Sequence, residues 1–548
     1  MPSRKQSLNH FGSNTVSFRK LVAFFKPVSF RPERDSLTVP RSGETCSSWL
    51  PEPAENSSLS SNLSFRPERD SLTVPRSGET CSSWVLGPTR LRRSTRYALL
   101  ATATAALALT GCNVGPKYTR PQAPAPPAFR GPDNADVSTP NSIADQQWSA
   151  VFTEPELQTL IRTALTSNYD LRIAAQHVLE QQAQVRITRA QEFPQIGATI
   201  SGSGSNLPSG FQTTPPVSFG LSGSWTPDFW GLYRNQTAAQ RAQLLAQQWA
   251  QRAVRLTLVQ QVASTYFELR ALDQQLAIAQ DTLKTRQQSV DLTRKLESGG
   301  AIPLSDLRQA EQLLYTASAE IPQLQQQIQQ NENQLRLLLG QTPGPVAHTD
   351  PAALAPPADN IPTGVPSQLL ERRPDIEQAE AELMAANANV GVARAQFFPQ
   401  LSLTGEAGAG GANFANLFSA VIGTGSITQP LFEGGRLRGQ LQLTQAQKQE
   451  MVLNYQRTIL GAFRDVSNAL IAEQKARQTR EAQQKLVAAA ADATRLARIR
   501  YQGGATSYLE VLTTDTNLFN AQLNLVTAQQ NEELAMVQLY SALGGGWQ

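Results

Sequence analysis

The sequence predicts a mixed α/β fold, with very long antiparallel helical hairpins and four short membrane-spanning β-strands in each chain. Residues 235–297 and 437–501 contain almost no Gly or Pro, and their apolar residues recur at the three- and four-residue steps of an α-helix. Both stretches end at a Gly-Gly-Ala turn, which begins at Gly299 and at Gly503. Because about sixty residues at 1.5 Å per residue make a rod of roughly 90 Å, these helices are too long for a compact domain and should fold back as hairpins.

Residues 1–89 are predicted to be a disordered extension that does not belong to the fold. The 21 residues at 29–49 recur without a single change at 64–84, and they show no apolar period. Structural repeats drift and keep a helix or strand pattern, so this copy is interpreted as a recent duplication, upstream of the true start. Residues 1–111 hold 15 Lys/Arg against 8 Asp/Glu, which leaves 33 against 36 for the remainder. The basic character therefore belongs to the front segment, and no nucleic-acid partner is expected.

Residues 90–111 have the pattern of a secretory signal peptide. The basic stretch 90–96 precedes a short apolar run, and the segment ends in Leu-Thr-Gly followed by Cys112. This ending resembles the bacterial lipobox, which implies cleavage before Cys112 and acylation of that cysteine, including palmitate. The alternative is an unmodified buried thiol. Residues 112–132 are rich in Pro and are predicted to form an extended, lipid-anchored tether in the outer membrane.

The remaining chain is predicted to be a tandem repeat of one unit of about two hundred residues. Residues 189–195 recur almost unchanged at 394–400, and the two Gly-Gly-Ala turns and a later Leu-Gly pair keep nearly the same offset. We therefore predict a first repeat at 133–342, a Pro- and Gly-rich linker at 343–366, and a second repeat at 367–548.

Each repeat is expected to open with one helix, at 154–193 and at 367–398, which Pro194 or Pro399 ends. Short segments with a two-residue period follow, around Ile196–Ile200 and 217–225 in the first repeat and around 401–403 and 421–427 in the second. Aromatic residues gather where the chain returns to helix: Trp225, Phe229, Trp230, Tyr233 and Phe432. The glycine run at 408–411 is interpreted as a surface loop, since no Lys follows it to meet a phosphate.

The alternating segments match the wall of a transmembrane barrel, and a soluble β-hairpin cap is the alternative. Four strands cannot close a barrel, and open strand edges are not tolerated in lipid. Several chains should therefore share one barrel, and three chains would supply twelve strands. The helices would then continue this barrel as a tube.

With its lipobox, the Val114-Gly115-Pro116 opening, the tandem halves and the glycine turns, the chain from 112 to 544 resembles the outer-membrane efflux protein family. It is TolC-like and most similar to the lipid-anchored NodT-type members. The resemblance implies a homotrimer with a twelve-stranded β-barrel in the outer membrane and a long periplasmic α-barrel. It also implies that the tips of the hairpins dock on a periplasmic membrane-fusion adaptor, which links the channel to an inner-membrane pump of the RND or a similar type.

Three residues take a role as a periplasmic gate from this resemblance. Glu510 matches an acid that rings the mouth of the tunnel, and Tyr501 matches a tyrosine that contacts the acid at Asp306 in the closed state. The chain departs from the family at Thr506, where the best-known member has an Arg, and at Thr513, where it has a second acid ring. The closed state should therefore have fewer ionic links. Without the resemblance, both acids would be interpreted as first-turn residues that stabilise a helix N-terminus.

The same resemblance assigns adaptor docking to the two tips. A simple helix cap is the alternative, because docking and capping use the same residues. The predicted docking residues are Gly299, Gly300, Ala301, Gly503, Gly504 and Ala505.

The sequence contains no recognisable catalytic constellation. His10, His177 and His348 are scattered, so neither an enzyme activity, nor a cofactor, nor a metal site is predicted. The favoured function is the exit duct of a tripartite efflux system that passively conducts drugs or other small molecules to the outside. The alternatives are a duct for protein secretion or metal-ion export, and a structural coiled-coil lipoprotein without a pore. A duct lined by small polar residues has no selective pocket, so the choice of cargo is assigned to the pump.

Overall fold

The computed structural model describes residues 113–122, 126, 129–130, 142–202, 217–347, 362, 364–411 and 417–547. The duplicated extension, the signal segment and Cys112 lie outside the described residues. The first repeat contains helices α1 to α5 and strands β1 and β2, and the second contains helices α6 to α9 and strands β3 and β4. The helices are α1 (Trp148–Val151), α2 (Pro155–Ser167), α3 (Tyr169–Ala190), α4 (Leu232–Ser298), α5 (Leu304–Leu338), α6 (Leu369–Arg372), α7 (Pro374–Ala395), α8 (Arg436–Gln502) and α9 (Tyr508–Ala542), and the strands are β1 (Gln195–Gly202), β2 (Val217–Trp225), β3 (Gln400–Gly411) and β4 (Leu417–Thr428).

The long helical hairpins have the predicted form. Helices α4 and α8 each contain 67 residues, and each returns as a 35-residue helix, α5 or α9. At 1.5 Å per residue, α4 and α8 are rods of about 100 Å. The four rods give the chain its length, and the strands are inserted before α4 and before α8.

Both reversals at the tips are Schellman motifs. Gly300 and Gly504 adopt positive φ angles of 71° and 70°, which a residue with a Cβ adopts only under strain. The amide of Ala301 donates to the carbonyl of Leu296 at 2.9 Å, and the amide of Ala505 donates to the carbonyl of Arg500 at 2.8 Å. These bonds satisfy helix-terminal carbonyls in the same way in both repeats.

The prediction of a single helix at 154–193 is wrong in one respect, because this range contains two helices, α2 and α3. Asn168 separates α2 from α3 with a ψ of 134°. Its side chain accepts a hydrogen bond from the amide of Leu171 at 3.0 Å and donates one to the carbonyl of Leu338 at 3.0 Å. In the second repeat Arg373 makes the corresponding break before Pro374, because a residue that precedes Pro avoids the helical region. An N-cap that also bonds to α5 stabilises the first break.

The strands form one antiparallel sheet in the order β1-β2-β3-β4. The prediction of a surface loop at 408–411 is wrong, because these residues belong to β3 and pair with 217–220 of β2. The glycines serve a close approach between strands: a Cβ on Gly408 would lie 2.4 Å from the carbonyl oxygen of Phe219. They are therefore strand glycines at a tight contact.

One face of the sheet is apolar and exposed in the protomer. Ile200 is 86% exposed and Val421 is 86% exposed, which is the environment expected of lipid-facing side chains in a barrel wall. The outer edges of β1 and β4 have no partner strand in the described sheet. The sheet is consequently a segment of a larger structure.

The helices pack side by side in the order α3, α4, α7 and α8. Where the two repeats meet, the middle of α4 packs on α2, α7 and α9 in the largest apolar core, to which α8 also contributes side chains. Its fully buried side chains include Ile161, Val262, Tyr266, Leu269, Ile376, Ile459 and Leu539. This core holds the helices of the two repeats together.

The segment predicted as a tether contains no helix or strand in its described part, but it is docked on the helices. Tyr118 donates from its hydroxyl to Glu380 of α7 at 3.0 Å, and Arg120 forms a salt bridge with the same carboxylate at 2.6 Å. The Nε of Arg120 also donates to the Tyr455 hydroxyl of α8 at 3.1 Å. Burial, with the Glu380 charge as a second cause, raises the pKa of the Tyr118 hydroxyl. Residues 113–122 are therefore part of the folded unit.

Candidate functional site

The two glycine tips lie together at the same end of the molecule. A buried apolar cluster joins the ends of all four long helices just behind the tips. Its members are Val290, Leu307, Ala310, Leu314, Ala497, Tyr508, Val511 and Leu512. The structure thus brings the predicted gate and docking residues, which are some two hundred residues apart in sequence, into one site.

The docking residues predicted at the two tips are all exposed. A Cβ built on Gly300 or on Gly504 would meet no other atom within 4 Å. Open space around both turns leaves room for a partner, whereas the positive φ explains the glycine without one. The geometry accommodates both the docking and the capping interpretations.

Tyr501 of α8 and Asp306 of α5 lie at the same end of the two hairpins. Tyr501 is the penultimate residue of α8 and packs on the ring of Tyr508, with 5.1 Å between the ring centroids. Burial raises the pKa of the Tyr501 hydroxyl, and the nearby Asp306 carboxylate raises it further. The contact that the resemblance implies between Tyr501 and Asp306 stays a prediction.

Glu510 lies in the first turn of α9, where its carboxylate is held by its own tip. Arg500, in the last turn of α8, donates to one carboxylate oxygen at 2.8 Å, and the Thr506 hydroxyl donates to the other. Thr513, in contrast, donates to the backbone carbonyl of Leu509 at 2.8 Å. Sequence reasoning did not identify Arg500, although a basic residue in the last helical turn is a recognisable signal.

A second unpredicted feature is a polar link between the hairpins at Asp515. Its carboxylate accepts from Arg286 of α4 at 3.1 Å and from Arg498 of α8 at 3.1 Å. Arg286 also donates to the carbonyl of Leu313 in α5 at 2.9 Å, and its guanidinium lies 5.0 Å from the centroid of the Phe519 ring. All four long helices therefore meet at one charge network, in which Arg286 is buried and Arg498 is partly exposed. Loss of the partner of the buried Arg286 charge should be costly.

The described residues contain no group of three or more His, Cys, Asp or Glu side chains placed to hold a metal ion. His177 is exposed on α3 beside Glu180, at 3.2 Å. His10 and His348 lie outside the described residues. Among the helices that the structure describes, none has the length and apolar character needed to cross a membrane.

Comparison with known proteins identifies the family. A model of the outer membrane efflux proteins matches residues 160–341 and 365–545. The chain belongs to the outer membrane efflux protein family. The first matched range lies within the predicted repeat at 133–342, and the second begins two residues before the predicted repeat at 367–548. The predicted family, fold class and outer-membrane location are confirmed.

Similar members are known from several bacteria. The cation efflux system protein CusC of Escherichia coli K12 is 38% identical over 451 residues, which cover 80% of this chain and 98% of CusC. The toluene efflux pump outer membrane protein TtgC of Pseudomonas putida is 37% identical over 469 residues, which cover 82% of this chain and 96% of TtgC. The probable outer membrane lipoprotein SilC of Salmonella typhimurium is 34% identical over 448 residues, which cover 80% of this chain and 96% of SilC.

Solved structures of the outer membrane efflux family have the same fold. A crystal structure of CusC matches with a TM-score of 0.70 and 36% identity, covering 79% of this chain and all of that one. The open state of the Neisseria gonorrhoeae MtrE outer membrane channel matches with a TM-score of 0.72 and 29% identity, and the match covers 80% of this chain and 99% of MtrE. This protein is accordingly an outer-membrane efflux component with a channel fold.

Proposed function

We propose that three copies of this protein form the outer-membrane exit duct of a tripartite efflux system, which passively conducts drugs or other small molecules to the outside. The observation that carries the proposal is that, in the described part of the chain, the sheet and the row of helices each end in an unpartnered edge. β1 and α3 lie at one edge of the protomer, and β4 and α8 lie at the other.

Both helical edges carry exposed apolar side chains that a second copy would cover. On α3, Ile173 is 52% exposed and Ile187 is 60% exposed; on α8, Leu453 and Leu460 are each 58% exposed. Contact between different edges of identical chains is head-to-tail, and it ends only when a ring closes. Three copies would supply twelve strands, which is enough to close a barrel.

The tips are proposed to form the periplasmic gate and the docking site for the adaptor. Glu510, Asp306 and Tyr501 would form the gate, because all three lie at the end of the hairpins. Glu510 bonds to Arg500 of α8, and Tyr501 packs on Tyr508 of α9. The exposed glycine turns would be bound by helical hairpins of a periplasmic adaptor, which connects the duct to an inner-membrane pump. Both roles rest on the shared geometry of the two tips.

Acylation of Cys112 is proposed as a further attachment to the outer membrane. Asn113, the next residue, is held at the start of α4, where its side chain accepts from the Asn235 amide at 2.9 Å and from the Gly115 amide at 2.9 Å. This is the junction between strand and helix, at which the membrane surface should lie. Labelled palmitate should be incorporated by the wild type and not by Cys112→Ser; label retained on the variant would contradict the assignment.

Metal-ion export is a second candidate cargo function, because the relative CusC is named a cation efflux protein. Deletion of the gene should sensitise cells to hydrophobic antibiotics and solvents if small molecules are the cargo. Sensitivity confined to copper or silver salts would favour metal export.

The duct itself is tested by purifying the mature protein in detergent and measuring its mass and its conductance in planar bilayers. We expect a trimer that forms channels, with greater conductance in Glu510→Ala. A stable monomer that forms no channel would contradict the proposal.

A further inference from the structure

A single charged side chain stands on the membrane strands. Among the strand residues that the structure describes, Glu406 in β3 is the one Asp, Glu, Lys, Arg or His. It is the seventh residue of the twelve in β3 and is therefore near the middle of the strand. An ionisable group at membrane depth is costly unless it faces water or a partner, so its position requires a functional explanation.

The strand register places Glu406 on the polar face of the sheet. Glu406 is directly opposite Ser222 of β2, which in turn is opposite Gly197 of β1. Residues paired in this way point to the same side. The next residue, Ala407, is opposite Leu221 and Val421 and belongs to the exposed apolar face.

The polar face is also the hollow face. A cavity of about 550 Å³ lies against the sheet, and most of its lining residues belong to the polar set, among them Thr199, Ser201, Ser222 and Glu406. A sheet that closes into a barrel puts its concave side toward the lumen and its apolar side toward lipid. Glu406 consequently points into the lumen, where its cross-strand neighbours are Ser222 of β2 and Ile422 of β4.

We propose that Glu406 forms a ring of three carboxylates in the lumen of the β-barrel, which favours passage of cationic solutes over anionic ones. This inference rests on the proposed three-copy duct. Rings of acidic side chains in a water-filled pore attract cations and repel anions. The ring would act at the membrane end of the duct, far along the long helices from the tips, and would therefore be a second charge filter, separate from Glu510.

The orientation is tested first, by a measurement that does not need an open gate. Cells expressing Glu406→Cys or Ala407→Cys are treated with a membrane-impermeant, charged thiol reagent, and the labelled position is identified by mass spectrometry. We expect rapid labelling at 406 and little at 407, because neighbouring residues of a strand face opposite sides. Equal labelling, or faster labelling at 407, would overturn the proposal.

The charge effect is then measured as the reversal potential of purified channels across a KCl gradient. The cation-to-anion permeability ratio should fall in Glu406→Gln, drop below one in Glu406→Lys, and stay near that of the wild type in Glu406→Asp. If the wild-type gate is closed, the series is recorded in the Glu510→Ala background. Channels whose ratio is the same in all variants would overturn the ring and leave the duct intact. Failure of every variant to form channels would instead contradict the duct, and the labelling experiment would still decide which face Glu406 occupies.

Discussion

Arg286 and Asp515 form a salt bridge of 3.1 Å between the two hairpins, although they are 229 residues apart in the chain. The Arg286 side chain is 5% exposed. Because the Arg286 charge has little access to water, it needs the Asp515 carboxylate as a partner. The salt bridge therefore holds the two hairpins in register near the tips.

Substitution of Asp515 by Ala should lower the thermal stability of the purified protein and loosen the tips. Removing one partner of a buried pair costs roughly 3–5 kcal/mol, because the other charge stays buried. The measurements are the denaturation midpoint in detergent and the leakage of antibiotics into cells. Arg495→Ala is the matched control, since its salt bridge to Asp492 lies on the same helix as Arg498 and is exposed. That pair should contribute about 0–1 kcal/mol. Equal effects of the two variants would contradict a special role for the link.

Block of the proposed gate by divalent cations should change in opposite directions when Arg500 or Glu510 is removed. Arg500→Ala leaves the Glu510 carboxylate without its basic partner, so the tips should carry more negative charge. We expect stronger block of the channel by Ca²⁺ or Mg²⁺ in Arg500→Ala, and weaker block in Glu510→Ala. The measurement is single-channel conductance with increasing divalent ion on the periplasmic side. Identical block in both variants would show that this pair does not reach the conduction path.

Glu533 of α9 predicts a dependence of stability on pH. Burial, followed by the charges of Glu154 and Glu532, raises the pKa of Glu533 from 4.5 to about 8. Between these two values the folded protein holds a proton that the unfolded chain has lost, so stability should fall as the pH rises through this range, by at most about 1.4 kcal/mol per unit. Glu533→Gln should remove this dependence and be more stable than the wild type at pH 8.

The check is a series of denaturation midpoints from pH 5 to pH 8. Glu180→Gln, at an exposed position on α3, serves as the control and should retain the pH profile of the wild type. A Glu533→Gln profile parallel to that of the wild type would contradict the assigned pKa.

The two glycines of the second tip allow docking to be separated from capping. Gly504 has a φ of 70°, so Gly504→Ala should destabilise the turn by about 1 kcal/mol. Gly503 has a φ of −82°, and a Cβ there meets only ordinary contacts, so Gly503→Ala should fold normally. If the tips dock, Gly503→Ala should nevertheless reduce site-specific crosslinking to the adaptor. Undiminished crosslinking in a stable Gly503→Ala protein would favour the capping interpretation.

The rods, the glycine turns and the strands could be predicted because each depends on a local pattern. The helical period and the two-residue period are visible in short windows, and the tips need a glycine at one defined place. Even the boundaries of β2, Val217–Trp225, follow directly from its alternation.

Other features depend on partners that are distant in sequence. Asn168 looks like any helix residue until its bond to Leu338 is known, and the glycines at 408–411 look like a loop until Phe219 lies against them. Arg286 follows the spacing of the buried stripe but resembles a surface residue, because its partner belongs to the other repeat. The docking of Arg120 on Glu380 is hidden for the same reason.

The tips reverse the chain through main-chain bonds and one left-handed glycine in each repeat, so no side chain is needed to build the turn. The residues displayed around it can therefore change without shortening or bending the rods. If the tips dock as proposed, substitutions around each turn could alter the choice of partner while the length of the duct stays the same.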